Sequence, residues 1–150
     1  MITPSSSFTN TSQGVITLLE HPQQLEDLKN DPSLAKNFAQ EICRYHTASS
    51  FATRRVAKVD ITLRGQVRQI PGLEIKSNKV QEIKAGEGLI ASNQAANRDP
   101  EVFPNPDKFD IHRKIDPVKN LAYGVGDHRC IAEGLATTEL ETVFCKSPRA

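Results

Sequence analysis

The chain has 150 residues, of which 37% are hydrophobic and 25% are charged, and its formal net charge is +1. This length suits one small domain. A charge so close to zero gives no electrostatic basis for binding nucleic acid or an anionic membrane, and we expect neither partner. No apolar run approaches the roughly 20 residues that a membrane-spanning helix requires.

The cysteines indicate the compartment. There are three of them, Cys43, Cys130 and Cys145. An odd number without a C-x-x-C pair predicts neither a disulfide framework nor a zinc ribbon, and it suits a reducing compartment. Residues 1–13 contain no basic side chain, which argues against a signal or transit peptide. We therefore expect a cytoplasmic protein, and a mitochondrial location is also compatible.

The first third of the chain predicts three helices. Residues 1–13 are rich in Ser and Thr, and we expect them to be a disordered lead. Because proline suits the first position of a helix and cannot continue a preceding one, Pro22 separates a helix that ends at Glu20 from a second helix. Ser33 is a natural N-cap for a third helix that runs to about His46.

Glu41 is an anomaly of the third helix, because it falls within the apolar stripe. Residues placed about 100° apart bring Phe38, Ile42 and Tyr45 onto the same face. A buried carboxylate needs a cation in direct contact, and Arg44 lies three residues further on. An isolated E-x-x-R pattern is more often a surface ion pair, so its meaning depends on the rest of the chain.

Strands are predicted next. Residues 58–64 alternate between apolar and polar side chains and predict a half-buried strand, and 80–84 and 89–92 predict two more. Residues 66–78 continue neither pattern, so we expect an insertion there.

Residues 93–113, called the meander below, contain Pro100, Pro104 and Pro106, which exclude a continuous helix or an inner strand. Its apolar side chains are spaced as anchors to a core, and they are Val102, Phe103, Phe109 and Ile111. Residues 114–120 predict a polar linker.

The most informative stretch is Y-G-V-G-D-H-R-C, from Tyr123 to Cys130. We call residues 123–130 the cysteine loop. Its glycines permit left-handed backbone conformations and close approach of a flat ligand. The cysteine stands where a final helix, Ile131 to Phe144, begins, and a thiolate at that position is favoured by the helix dipole and by an adjacent basic pair. Such a sulfur can bind a soft metal or haem iron.

The final helix has an apolar stripe formed by Leu135, Ala136, Leu140, Val143 and Phe144, and residues 145–150 are expected to be a disordered tail. Zinc is an alternative ligand for the loop, but it would need two ligands beyond His128 and Cys130, and the sequence offers none at suitable spacing.

The order of the E-x-x-R pair, the meander, the cysteine loop and the final helix resembles the C-terminal part of the cytochrome P-450 superfamily of haem-thiolate oxidoreductases. The cysteine signature of that family is F-x-x-G-x-x-x-C-x-G. Gly126 and Cys130 match it, His128 stands where many members have histidine, Tyr123 replaces Phe, and Ala132 replaces the last Gly.

The resemblance implies a role for each matched residue. Cys130 resembles the axial thiolate ligand of the haem iron, with haem b as the cofactor. His128 resembles a donor to a haem propionate, and Arg55 matches a second propionate-binding cation. Tyr123 and Gly126 shape the haem-binding loop.

The resemblance also gives the E-x-x-R pair a meaning. Glu41 and Arg44 resemble the pair of the family's helix K, and Arg113 resembles the third member of its network. In the family this network holds the meander and has a structural role.

Three segments, C-R-Y-H-T-A-S, A-S-N-Q-A-A-N-R-D and G-D-H-R-C-I-A-E, are similar to the fungal nitric oxide reductase branch. That branch forms nitrous oxide from nitric oxide with electrons taken directly from NADH or NADPH. Bacterial-type monooxygenases share the A-N-R-D piece, so oxidation of a small organic substrate with molecular oxygen is the alternative reaction.

The implied fold is mainly α with a small β-sheet (α+β), a partial cytochrome P-450 fold over residues 14–144. It comprises the end of the distal helix, helices J and K, the small sheet, the meander, the cysteine loop and helix L. The N-terminal half of the family fold and most of the distal helix have no counterpart. We therefore expect a fragment with incomplete packing and uncertain activity. A non-catalytic haem-binding remnant from a truncated or mis-spliced gene model is a third possibility.

Overall fold

The structure is a computed structural model that describes residues 5–51, 53–63 and 81–146. These ranges contain five α-helices, which are α1 Ser5–Glu20, α2 Pro22–Asn30, α3 Ala35–His46, α4 Asn93–Ala96 and α5 Glu133–Lys146. They also contain four strands, which are β1 Thr53–Val56, β2 Ile61–Leu63, β3 Gln81–Ile83 and β4 Gly88–Ala91. Short 3-10 helices occupy Pro32–Leu34, Leu121–Tyr123 and Gly126–His128. The predicted fold class, mainly α with a little β-structure, is confirmed.

Both ends of the described chain are more helical than the sequence predicts. A disordered lead over residues 1–13 is predicted, whereas α1 begins at Ser5, so the prediction is wrong for residues 5–13. At the other end α5 continues through Cys145 to Lys146. Ser and Thr are poor helix formers, but packing of α1 against α3 and α5 outweighs this local preference.

The start of α3 differs from the prediction in one detail. Ser33 is not its N-cap, because the 3-10 helix Pro32–Leu34 precedes α3 and Leu34 takes the capping position without a side-chain hydrogen bond. Instead, the carboxylate of Asp31 accepts a hydrogen bond from the backbone N–H of Ser33 at 3.0 Å.

The strands form two antiparallel pairs. In one pair β1 lies beside β4, with Arg54 opposite Ile90, and in the other β2 lies beside β3, with Ile61 opposite Ile83. The sequence does not predict β1, because Arg54, Arg55 and Val56 are all exposed and no alternation marks the strand. Backbone pairing with β4 decides its conformation. The predicted insertion at 66–78 lies outside the described residues.

The core lies between α1, α2, α3, α5 and the meander. Its buried members are Leu18, Leu28, Ala35, Phe38, Ala39, Ile42, Cys43, Phe109, Ile111, Leu140 and Phe144. The ring centroids of Phe38 and Phe144 are 4.4 Å apart. A Cβ atom on Gly14 would lie 2.7 Å from Cζ of Phe144 and 3.1 Å from Cζ of Phe38. The close approach of α1 to α3 and α5 therefore requires glycine at this position.

Some predicted apolar anchors are not buried. In the meander, Phe103, Phe109 and Ile111 are buried as predicted, but Val102 is 38% exposed. In α5, Leu140 and Phe144 are buried, whereas Leu135 is 61% exposed and Val143 is 38% exposed. The predicted stripe of α5 thus faces the described core only along its C-terminal half. Within the described ranges, no helix combines the length and the apolar character needed to cross a membrane.

A buried ion pair joins α3 to the meander. Glu41 and Arg44 both have 0% side-chain exposure. The guanidinium of Arg44 donates from Nε to Oε2 of Glu41 at 2.7 Å and from Nη2 to Oε1 at 2.8 Å, a two-pronged geometry that matches the carboxylate. Nε of Arg113 lies 3.3 Å from both carboxylate oxygens. The structure therefore brings together the three residues that the resemblance assigns to one network.

The remaining polar atoms of the network bind the backbone of the meander. Arg44 Nη1 donates to the carbonyl oxygens of Asn97 at 2.9 Å and Pro106 at 2.8 Å. The N–H of Asp110 donates to Oε1 of Glu41 at 3.0 Å. Arg113 donates to the carbonyl oxygens of Pro104, Asn105 and Lys108 at 2.6, 3.1 and 3.0 Å. Apart from the short helix α4 at its start, the meander has no regular secondary structure, and these side-chain hydrogen bonds add to its local backbone turns in holding it against α3.

We predict that Glu41→Gln lowers the free energy of unfolding by about 3–5 kcal/mol, because it leaves the buried guanidinium of Arg44 without a counter-charge. A loss of this size can abolish the cooperative transition of a small domain altogether. Urea denaturation followed by circular dichroism measures the effect.

The matched control is Glu26→Gln. Glu26 and Lys29 form an ion pair with the same i,i+3 spacing, but their side chains are 58% and 37% exposed. Its removal is expected to change the free energy of unfolding by less than about 1 kcal/mol. Equal losses in the two variants would contradict a special role for the buried pair.

Candidate functional site

The cysteine loop has a backbone conformation that depends on its glycines. Gly124 follows the 3-10 helix Leu121–Tyr123, Gly126 begins the 3-10 helix Gly126–His128, and both glycines have φ of +76°. This is the left-handed region that side chains with a Cβ rarely adopt. The N–H of Cys130 donates to the carbonyl oxygen of Tyr123 at 2.9 Å and closes the loop. The carbonyl oxygen of Cys130 then accepts from the N–H of Glu133 at 3.2 Å, in the first turn of α5.

Cys130 is exposed, and several residues near it in the sequence are apolar and exposed as well. The next residue, Ile131, is 93% exposed, and Leu135 is 61% exposed. Val125, inside the loop, is also exposed. A Cβ atom added to Gly124 or Gly126 would meet no atom within 4 Å, so the space beside the loop backbone is open. The loop therefore offers a sulfur atom and apolar side chains to a ligand that approaches from outside.

Tyr123 and Cys43 connect the loop to α3. The hydroxyl of Tyr123 lies 3.3 Å from Sγ of Cys43, and Nδ2 of Asn10 donates to the same sulfur at 3.5 Å. Burial raises the pKa of the Cys43 thiol to about 11, and burial also raises the pKa of the Tyr123 hydroxyl above its usual range. Cys43 is therefore a protonated thiol of the core. It is also the hydrogen-bond partner of the Tyr123 hydroxyl, the group that a Phe at this position would lack.

Two buried asparagines link the meander and the linker to the helices, and sequence reasoning missed both. Asn97 donates from Nδ2 to Oγ1 of Thr47 at 3.0 Å and accepts from the N–H of Leu121 at 2.8 Å. Asn120 donates to the carbonyl oxygen of Gln40 at 3.0 Å. Burial and these hydrogen bonds reveal the role, whereas the sequence shows both asparagines as ordinary polar residues of irregular segments.

Arg129 has a different environment from the one the sequence suggests. As part of a basic pair with His128, it is expected to favour an ionised sulfur. The guanidinium instead donates to both carboxylate oxygens of Glu133, at 2.6 and 2.7 Å, and these hydrogen bonds raise the pKa of Arg129. Its charge is therefore balanced by Glu133 in the first turn of α5.

The remaining predicted site residues are exposed. His128 ends the second 3-10 helix of the loop, and its ring makes no hydrogen bond within the described part of the chain. Arg55 lies on β1, where its Nη1 donates to the carbonyl oxygen of Arg54 at 3.3 Å. In the described ranges no hydrogen bond joins the Arg55 side chain directly to the cysteine loop.

A zinc site requires several protein ligands close together. Among residues 5–51, 53–63 and 81–146, no group of three or more His, Cys, Asp or Glu side chains is arranged to hold a metal ion. The iron of a haem carries most of its own ligands, so a single protein thiolate can hold it.

Comparison with known proteins identifies the family. The family model of cytochrome P-450 matches residues 15–147. Cytochrome P-450 55A3 of Fusarium lichenicola is 54% identical over 131 residues, which are 87% of this chain and 28% of that protein. The vitamin D3 dihydroxylase of Streptomyces griseolus is 40% identical over 134 residues, which are 89% of this chain and 29% of that protein.

A solved structure agrees. Cytochrome P-450 MoxA from Nonomuraea recticatena superposes with a TM-score of 0.76 at 35% identity, over 96% of this chain and 32% of that one. The chain thus spans less than a third of the length of each of these relatives. The match to the family model and these identities show that the chain belongs to the cytochrome P-450 family of haem-thiolate oxidoreductases.

Proposed function

We propose that this chain forms the thiolate side of a haem site and that Cys130 is the axial ligand of the iron. The observation that carries the proposal is the position of Cys130, an exposed thiol between a glycine-containing loop and the first turn of α5. Cys43 is buried in the core and Cys145 lies near the end of α5, so neither offers the same setting. A bound haem supplies an iron centre whose reactivity the thiolate tunes by donating electron density.

The residues around Cys130 fit a haem. The macrocycle is flat and apolar, and it would cover the exposed side chains of Val125, Ile131 and Leu135. The open space beside Gly124 and Gly126 allows close approach to the loop backbone. Among the loop side chains, Tyr123 forms a hydrogen bond between its hydroxyl and Sγ of Cys43, so Tyr123 supports the loop from the core side.

Two side chains are proposed to hold the haem propionates. His128 is two residues before Cys130 and exposed, and a ring N–H can donate to a carboxylate. Arg55 is exposed on β1 and carries a permanent positive charge that suits a second carboxylate. Glu41, Arg44 and Arg113 have no part in binding in this proposal, because they are occupied in holding the meander.

For the reaction, we propose reduction of nitric oxide to nitrous oxide with electrons from NADH or NADPH. The support is the set of three sequence segments that resemble the fungal nitric oxide reductase branch, together with 54% identity to a fungal relative against 40% to a bacterial one. The second candidate is oxidation of a small organic substrate with molecular oxygen. It is favoured by the name of the Streptomyces griseolus relative, a dihydroxylase.

A third candidate is haem binding without turnover. It is supported by the exposed apolar residues of α1, where Ile16 and Leu19 have no cover in the described structure. Since the chain corresponds to less than a third of its relatives, the walls of a substrate pocket are largely outside it.

We predict that the purified chain takes up haem and that its ferrous carbon monoxide complex shows the red-shifted Soret band of thiolate ligation. Cys130→Ser should abolish this band, because a serine hydroxyl does not replace a thiolate on iron. Cys145→Ser is the matched control and should retain it. Loss of the band in both variants, or in neither, would sink the assignment of Cys130.

The three functional candidates differ in turnover. Nitric oxide consumption that requires NADH or NADPH and yields nitrous oxide supports the first. Oxidation of a small organic substrate, with an added electron donor and molecular oxygen, supports the second. Haem uptake with neither activity supports the third, and absence of haem uptake rejects all three.

The cysteines should also differ in reactivity towards iodoacetamide. With a pKa of about 11, Cys43 is only about 1% thiolate at about pH 9, and it is buried as well. We expect native protein to be labelled at Cys130 and not at Cys43, and haem to protect Cys130. Raising the pH increases the thiolate fraction of Cys43, and urea exposes it, so both treatments should increase its labelling. Mass spectrometry of peptides reads the result, and rapid labelling of Cys43 in the native state would contradict its burial.

A further inference from the structure

The side chain of Arg129 binds on both sides of Cys130. Its Nε and Nη2 donate to the two carboxylate oxygens of Glu133 at 2.6 and 2.7 Å. Nη1 also donates to the carbonyl oxygen of Gly124 at 3.3 Å, and Nη2 to that of Pro117 at 3.2 Å. One guanidinium therefore contacts the linker before the loop, the turn within the loop, and the first turn of α5.

The contacts of Arg129 lie before and after Cys130 in the chain. The Cys130 backbone has one hydrogen bond into the loop, from its N–H to Tyr123, and one into the helix, from Glu133 to its carbonyl oxygen. The Arg129 fork joins the same two elements through Gly124 and Glu133. The cysteine loop could move away from α5 only if the hydrogen bonds of the Arg129 guanidinium broke together with the two backbone hydrogen bonds of Cys130.

An ordinary surface ion pair does not have this arrangement. Lys29 and Glu26 contact each other within one helix and hold no other segment in place. The Arg129 and Glu133 side chains are only 30% and 23% exposed, and two of the guanidinium donors are bound to backbone carbonyls outside the helix. Planar two-pronged geometry gives Arg a directional hold that a lysine ammonium cannot reproduce.

We propose that Arg129 is a positioning residue that fixes the Cys130 sulfur relative to α5, acting through Glu133 and the carbonyl of Gly124. The inference rests on the proposed role of Cys130 as haem ligand. It adds a specific function for the residue that precedes the ligand. The side chain needs no contact with haem to perform it.

The first test uses the haem-free chain and amide hydrogen exchange measured by nuclear magnetic resonance. In Arg129→Gln, the amide of Cys130 should exchange roughly tenfold faster, the factor expected for losing a hydrogen bond to a charged group. The amide of Ile42 in α3 should keep its rate, which shows that the variant is folded. Arg129→Lys should lie between wild type and Gln, and the exposed-pair control Lys29→Gln should match wild type.

The second test uses the haem-loaded chain and the ferrous carbon monoxide spectrum. Arg129→Gln and Glu133→Gln should each convert a larger fraction of the complex to the blue-shifted form that lacks thiolate ligation. Glu133→Gln should resemble Arg129→Gln, because both break the same fork.

The outcomes separate this inference from the proposed function. If the wild-type chain takes up no haem, the proposed function fails, and the exchange rate of the Cys130 amide still decides whether Arg129 orders the loop. If that rate is unchanged in Arg129→Gln, the inference is overturned even when haem binds. If exchange quickens but the spectrum of the haem complex is unaffected, Arg129 orders the loop without positioning the sulfur, which also overturns the proposal.

Discussion

The buried ion pair between Glu41 and Arg44 is the interaction on which the arrangement of this chain depends. Removing two charges from water costs several kcal/mol for each ion, and attraction within the pair offsets this only when every remaining donor and acceptor is satisfied. Here Arg44 also binds two meander carbonyls, and Glu41 accepts from Asp110 and Arg113. Since these partners lie far along the chain from α3, the pair is stable only when the meander is in place.

From this pair, polar contacts continue towards the cysteine loop. The carbonyl oxygen of Asn97 accepts from Arg44, and its side-chain oxygen accepts from the N–H of Leu121 at the start of the 3-10 helix that carries Tyr123. Tyr123 then contacts Cys43 through its hydroxyl and Cys130 through its carbonyl oxygen. The loop therefore rests on α3 and the meander, while its outer side remains open. A ligand can approach the thiol without disturbing the contacts that shape the loop.

The distribution of apolar surface complements this picture. Leu140 and Phe144 in the C-terminal half of α5 are buried against α1 and α3, whereas Ile131 and Leu135 near Cys130 are exposed. A group of exposed apolar side chains is typical of a surface that an apolar ligand covers. The same helix thus serves the core at one end and the candidate haem site at the other, which explains why a single apolar stripe along α5 does not describe its burial.

The sequence by itself determined the family resemblance and the boundaries of α2 and α3 to within a few residues, because proline positions, helical periodicity and a spaced motif are local signals. The same motif is the basis for proposing Cys130 as the haem ligand. The sequence also singled out Glu41, since a carboxylate in an apolar stripe requires a partner. Only the tertiary structure decided the helix over residues 5–13, strand β1, the roles of Asn97 and Asn120, and the turning of Arg129 towards Glu133. Arg129 and Glu133 are only four residues apart, but only the structure shows that the guanidinium takes this carboxylate as its partner. The other features depend on contacts between segments distant in sequence, where packing and backbone pairing outweigh local propensity.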